Sequence, residues 1–308
     1  DVTKEMINFV PGIVPGIGMA MNSFTRPGDK VMIQPPVYHP FAWVTTRNER
    51  TLVTNPLKWE NGMYRMDLDA FREQVKGCKL FILCNPHNPG GVVWTEDELR
   101  TVAEICYEEK VLVFSDEIHA DLTLPPYKHR PFATISEKAK MNSVTFMSPS
   151  KAFNMPGLAA SHAIIFNEDL RARFRKFMDA GELDMGHVFA FLSVEAAYTH
   201  GTEWLDQCLA YIQGNIDYVD NFLKTHAPRI KAIRPQASYL VWLDCRELGL
   251  NQEALNDFFA DKAHLALNDG AMFGKEGTGY MRLNVASPRS VIEQAMKQLA
   301  EAYQAMSF

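Results

Sequence analysis

The strongest constraint on this chain is an alternation of short apolar runs with longer stretches of helical periodicity, each run closed by a polar or glycine-rich segment. The runs that read as strands are Lys30 to Gln34, Lys79 to Cys84, Lys110 to Ser115, Ser143 to Met147 and His162 to Phe166. Among the intervening stretches, Thr95 to Glu108 is amphipathic. Thr95 is placed to cap it, Glu96 to Glu98 suit its first turn, and Leu99, Val102, Ala103 and Cys106 form its apolar stripe. Such alternation predicts an α/β fold with a mostly parallel sheet covered by helices on both faces.

From about Gly201 the pattern changes. A long helix is predicted over Thr202 to Thr225, then strands at Ile230 to Ile233 and Tyr239 to Leu243. A helix near Gln252 to Asp261, a strand near Tyr280 to Ala286 and a closing helix from Pro288 complete the chain. The division expected is a large ligand-binding domain over 1–200, a connecting helix over 201–226 and a small α+β domain over 227–308.

The 308 residues are 47% hydrophobic and 22% charged, an ordinary balance for a soluble globular protein with a sizeable core. The net charge of −6 is spread over both signs with no basic tract, which argues against a nucleic-acid or acidic-membrane partner. No apolar run approaches the roughly 20 residues of a membrane span, and there is no export leader. Cys78, Cys84, Cys106, Cys208 and Cys245 are odd in number and widely spaced, as reduced thiols in a cytoplasmic protein would be. The chain opens at Asp1 without an initiator methionine, so a native N-terminal segment is expected to be missing.

In open α/β sheets ligands sit beyond the carboxyl ends of the strands. The polar segments fall at such ends: Val10 to Gly18, Pro35 to Pro40, Asn85 to Gly91, Asp116 to Asp121 and Ser148 to Lys151. Lys151, in Ser148-Pro149-Ser150-Lys151, follows a strand and can direct its amine into a pocket, where crowding and desolvation would favour the neutral nucleophile. An ordinary surface lysine fits as well, and Ser148 could donate to a phosphate. Asp116 closes a buried strand, and a carboxylate there is costly unless it meets a cation. A protonated pyridine nitrogen is one such cation; a helix cap is another role. A metal held with Glu117, His119 and Asp121 lacks a familiar ligand spacing.

In Asn85-Pro86-His87-Asn88-Pro89-Gly90-Gly91, prolines stiffen a loop that positions asparagine amides for a ring oxygen. Pro11-Gly12-Ile13-Val14-Pro15-Gly16 precedes a helix running to about Phe24, and free N–H groups at such a start bind phosphate or are merely capped. Tyr38, flanked by prolines, could stack on a flat heterocycle or belong to the core. Arg282 interrupts a buried-type strand and wants a carboxylate, either a substrate's or an internal partner.

In this order the segments resemble the fold-type I pyridoxal 5′-phosphate (PLP) enzymes of the aspartate aminotransferase superfamily, over essentially the whole chain from about Val10. Tyr38-His39-Pro40-Phe41, Asn85 to Trp94, Asp116 to Asp121 and Ser150-Lys151-Ala152-Phe153-Asn154 are similar to the cystathionine β-lyase and cysteine C–S lyase branch. The resemblance implies PLP as cofactor, Lys151 as the Schiff-base lysine and Asp116 as partner of the pyridine nitrogen. Asn88 would contact the ring phenolate, with His119 nearby where many relatives place a tyrosine, and Tyr38 would stack on the ring. Ser148 and the Ile13 and Val14 backbone would hold the phosphate, and Arg282 the substrate carboxylate. Many aminotransferases carry an arginine eight residues after the lysine; Ala159 stands there, a departure the lyase branch shares.

The reaction implied is β-elimination from cystathionine or a cysteine S-conjugate, giving a thiol, pyruvate and ammonia, in a homodimer without metal. An aminotransferase and a PLP-binding regulatory protein with little turnover are the alternatives. Relatives carry an N-terminal arm that packs on the dimer partner, and its absence would affect activity and dimer stability.

Overall fold

The computed structural model describes residues 1–306. Its strands are β1 (Ile7–Val10), β2 (Lys30–Ile33), β3 (Thr51–Thr54), β4 (Lys58–Glu60), β5 (Met63–Arg65), β6 (Cys78–Cys84), β7 (Leu112–Asp116), β8 (Ser143–Met147) and β9 (Ser161–Ile164). They continue with β10 (Lys231–Ile233), β11 (Leu240–Asp244), β12 (Asn268–Asp269) and β13 (Tyr280–Asn284). The helices are α1 (Ile13–Phe24), α2 (Pro40–Arg47), α3 (Leu68–Gln74), α4 (Glu96–Glu108), α5 (Glu137–Met141) and α6 (Glu168–Ala180). They end with α7 (Val188–His200), α8 (Thr202–His226), α9 (Gln252–Asp257) and α10 (Arg289–Gln304).

The expected α/β architecture is present. A seven-stranded sheet runs in the order β1-β9-β8-β7-β6-β2-β3. β3, β2, β6, β7 and β8 pair in parallel, and β9 lies antiparallel to both β8 and β1. Two reversals restore direction, so β1 points the same way as the parallel five. The carboxyl ends of β1, β2, β6, β7 and β8 therefore share one edge, and β9 starts from it.

Both faces of this sheet are buried. Leu80, Ile82, Leu112, Phe114, Val144 and Phe146 pack toward Ile17 and Met21 of α1, while Phe81, Leu83 and Val113 pack toward Leu99 and Val102 of α4. Period-two side-chain alternation feeds two apolar layers, which is why these strands read as continuous apolar runs. Helix α1 lies close on the sheet because Gly16 has no side chain: a Cβ there would come within 2.8 Å of Val10. Helix α4 begins as expected. Thr95 accepts from the Glu98 N–H at 3.2 Å, and the Glu98 carboxylate accepts from the Thr95 N–H at 2.9 Å.

Two strands of this sheet lay outside the sequence reading, as did the short β4, β5 and β12. β1 is four residues at the sheet's edge, merged with the glycine-rich segment that follows, and the other edge strand β3 is only partly buried. Short edge strands carry little of the periodic signal that marks central ones.

The second sheet is antiparallel, in the order β10-β11-β13-β12. Ile216, Val219 and Leu223 of α8 and Ile292, Met296 and Leu299 of α10 cover Val241, Leu243, Met281 and Leu283. The expected single helix over Gln252 to Asp261 is instead α9 followed by a π-helical turn, Phe258–Lys262. In β13, Met281 and Leu283 enter this core, so Arg282 and Asn284 stand on the opposite face.

The loop after β6 docks onto the segment before β11. The Gly91 carbonyl accepts from Gln236 N–H at 2.7 Å and Ala237 N–H at 3.2 Å. Gly91 has φ +67°, and a Cβ would meet Pro235 Cβ at 2.5 Å and its Cα at 2.8 Å. Gly91→Ala should therefore lower stability by about 1–3 kcal/mol. The urea midpoint measures it, and an unchanged midpoint would mean that the two segments can separate at no cost.

Candidate active site

At the shared edge lies a cavity of about 390 Å³, within the usual range for a small-molecule site. The segments predicted to converge do so. Gly12, Ile13 and Val14 from the start of α1 line it, with Tyr38, Asn88, Asp116, His119, Lys151 and, from β13, Arg282. Lys151 and Asp116, whose proximity the sequence reading required, border the same space.

Asp116 is almost fully buried, with its Oδ1 accepting from the Ile118 N–H at 3.1 Å. Desolvation pushes its carboxyl pKa up to about 7, and the neighbouring Glu117 adds to this, while the Ile118 N–H and the Lys151 charge oppose it. A group in that state would be ionised by a cation placed before it. Glu117 does not join Asp116 in a metal cluster. Its carboxylate turns away, accepting from Ser115 Oγ at 2.8 Å and Phe132 N–H at 2.9 Å, and meeting His129 Nε2 at 2.7 Å. Among the described residues no group of three His, Cys, Asp or Glu side chains could hold a metal ion.

Asn88 Oδ1 accepts from Arg282 Nη1 at 2.9 Å, which leaves the amide's donor nitrogen for a ligand oxygen. Arg282 also donates through Nη2 to Asn268 Oδ1 at 2.8 Å and lies 4.7 Å above the Phe273 ring. Its buried Nε has no partner, and burial lowers its pKa. No carboxylate among the described residues pairs with it, so the internal ion pair, one of its two sequence readings, is absent. Burial, helped by the Lys151 and Arg282 charges, pushes His119 down to about 3, so a neutral imidazole faces the cavity with Nδ1 unpartnered. Desolvation and the nearby Asp116 raise the Tyr38 hydroxyl, so it stays protonated.

Helix α1 has no side-chain cap. Ile13 and Val14 sit in its first turn beside the cavity and Pro15 has no N–H, so the two free donors available are theirs. Ser148 departs from expectation. Its hydroxyl donates to the Ala160 carbonyl at 2.7 Å and accepts from Ser150 N–H at 3.1 Å, so it fastens the turn that carries Lys151. It is Ser150 that lines the cavity. The two serines differ by one turn position, which spacing alone does not distinguish.

The sequence reading missed Tyr239, Asn284, Ala160 and Ser161, which also line the space. Asn284 was legible in principle, two residues from Arg282 on one strand face. Ala159, which stands where many aminotransferases carry an arginine, takes a left-handed conformation (φ +48°) at the end of a 3₁₀ turn.

The site suits PLP on its own terms. A buried carboxyl awaits a cation, a helix N-terminus offers free N–H groups, an amide donor faces the space, and a lysine stands among them. Comparisons agree. The model of the aminotransferase class I and II family matches residues 1–299. Cystathionine β-lyase PatB of Bacillus subtilis (strain 168) is 40% identical over 303 residues, covering 98% of this chain and 78% of that protein. Protein MalY of Escherichia coli (strain K12) is 30% identical, covering 99% and 78%. The structure of cystalysin from Treponema denticola, which contains PLP, superposes with a TM-score of 0.97 at 35% identity, covering 100% and 78%. The chain belongs to the aminotransferase class I and II family.

Because the folded-state pKa of Asp116 lies above its unfolded value, its burial lowers stability progressively as pH climbs from about 4 to about 7. Asp116→Asn should therefore raise the Tm of cofactor-free protein more at pH 8 than at pH 5. Equal gains at both pH values would contradict a desolvated carboxyl.

Proposed function

We propose that this protein is a PLP-dependent carbon–sulfur lyase that eliminates the thiol from cystathionine or a cysteine S-conjugate, releasing pyruvate and ammonia. The observation that carries the reading is Lys151 and the buried Asp116 bordering one cavity with an Arg282 that lacks a carboxylate partner. The names of PatB and the fold match to PLP-containing cystalysin support it.

Bound PLP supplies a protonated ring that accepts electron density from the substrate Cα once its proton leaves. Asp116 keeps that nitrogen protonated, its carboxylate stabilised by the positive charge it faces. The Ile13 and Val14 N–H groups hold the phosphate, with the Ser150 hydroxyl beside them. Asn88 donates its amide to the ring oxygen, and Tyr38 covers one ring face. His119, neutral at working pH, offers a hydrogen bond without adding charge.

Arg282 takes the substrate α-carboxylate. Its position is set by Asn88, Asn268 and the Phe273 ring, so little side-chain freedom is lost on binding. Lys151 would hold the cofactor at rest, and once the substrate's amine takes its place the freed Nζ would remove the Cα proton. The electron pair left at Cα would expel the sulfur from Cβ as thiolate, and water would hydrolyse the resulting three-carbon enamine to pyruvate and ammonia.

We assign the enzyme to the cytoplasm, because its five cysteines are free and four are buried. We also assign a homodimer. Val188, Phe189, Phe191 and Leu192 of α7 are exposed, an apolar surface suited to a second copy. The 1–200 and 227–308 segments act as two domains joined by α8.

Lys151→Ala should abolish the visible absorbance of lysine-bound cofactor and cut pyruvate release from cystathionine by at least about a thousandfold. Turnover with the absorbance intact in this variant would refute the assignment. Arg282→Ala should lower kcat/KM by about a hundredfold, chiefly through KM, since it removes a charged binding contact. An unchanged KM would remove Arg282 from substrate recognition.

A further inference from the structure

Lys151 also borders a second cavity, of about 300 Å³. The two spaces share Lys151, Tyr239 and Asn284, so they meet where the reactive amine stands. The far wall comes from one face of α8, where Trp204, Cys208 and Tyr211 follow at helical spacing. Phe153, two residues beyond Lys151, stacks on Trp204 at 5.9 Å and fixes that ring beside the lysine turn. Among the described residues that line this space, Lys151 is the only charged one.

We propose that this cavity receives the substituent on the substrate's sulfur, and that it selects cysteine S-conjugates bearing an uncharged aromatic group over cystathionine. The inference rests on the lyase reading, in which Arg282 holds the α-carboxylate and Lys151 takes the Cα proton. Arg282 and Asn284 stand on one face of β13, two residues and so roughly 7 Å apart. A cysteine conjugate covers a comparable span from its carboxylate to the first carbon beyond sulfur. With the carboxylate at Arg282 and Cα at Lys151, the substituent enters the space that Asn284 and Tyr239 open. Cystathionine would bring a second ammonium and carboxylate into it, and the walls offer no carboxylate or guanidinium to pair with them. Burying unpaired charge is costly, whereas a ring gains by leaving water.

Three thioethers given to the holoenzyme test the selection, with pyruvate as the readout. The value of kcat/KM should be at least about tenfold higher for S-benzyl-L-cysteine than for S-methyl-L-cysteine or cystathionine. Filling the cavity with Cys208→Phe should lower the S-benzyl to S-methyl ratio by at least about tenfold. A preference for cystathionine, or an unmoved ratio in the folded variant, overturns the proposal.

A second measurement needs no turnover. Cys208 is the one cysteine of the five that is not buried, so iodoacetamide should reach it first. The carbon isostere of the S-benzyl substrate, 2-amino-5-phenylpentanoate, has no leaving group. At twice its Kd it should slow alkylation of Cys208 about threefold, as one-site occupancy requires. Norvaline, the isostere of the S-methyl compound, should not. Equal protection by both, or by neither, refutes the cavity assignment. If none of the three thioethers yields pyruvate, the lyase reading fails, and the alkylation result still decides whether the cavity binds the aromatic group.

Discussion

The arrangement of this molecule turns on one carboxyl group buried at the end of an apolar strand. Asp116 follows Leu112, Val113, Phe114 and Ser115, all without appreciable exposure, and has a single backbone N–H to offset its lost hydration. The folded chain tolerates it because it lies at the mouth of a cavity shared with Lys151. Desolvation holds its pKa near neutrality until a cation arrives. The cost of burying that group is one that a cation placed in the cavity would relieve.

Around this carboxyl the sheet does the assembling. Five strands that run in one direction deliver their following loops to one edge, although the first and last of these loops lie more than a hundred residues apart in the chain. The reversal at β9 is essential, because it lets β1 return parallel to the rest and bring the start of α1 to the same edge. Gly16 permits the close seating of α1 on that strand, so the free N–H groups of Ile13 and Val14 end where an anion can reach them. Glu117 adds rigidity beneath Asp116 by tying the ends of β7 and the 129–132 loop together.

The smaller sheet contributes a guanidinium and an amide to the cavity wall. Alternation along β13 sends Met281 and Leu283 into its own core and presents Arg282 and Asn284 to the cavities. Arg282 meets Asn88 across the junction, and the Gly91 carbonyl holds the same loop to residues 236 and 237. Asn88 and Arg282 are thus coupled through one loop, and a change in either sheet's position would move both.

Much of this was legible in the residues. The central strands, the capped α4 and the long α8 have strong periodicity and clear stop signals, and they stand close to where they were expected. Lys151, Asp116, Asn88, Tyr38, His119 and Arg282 carry side chains whose chemistry is out of place unless a ligand is present, and they share one cavity. Edge strands β1 and β3 were not legible, because runs of only four residues give too few positions for a period to be counted. Neither was the choice between Ser148 and Ser150, which depends on how a single turn folds back to the Ala160 carbonyl. Residue chemistry and local periodicity, encoded position by position, determined that this chain has an α/β sheet with a lysine and an aspartate at the ends of its strands. Only the tertiary structure decided that Arg282 lacks a carboxylate partner among the described residues and that a second cavity, with Lys151 its one charged lining residue among them, opens beside the first, since both depend on which distant segments are brought together.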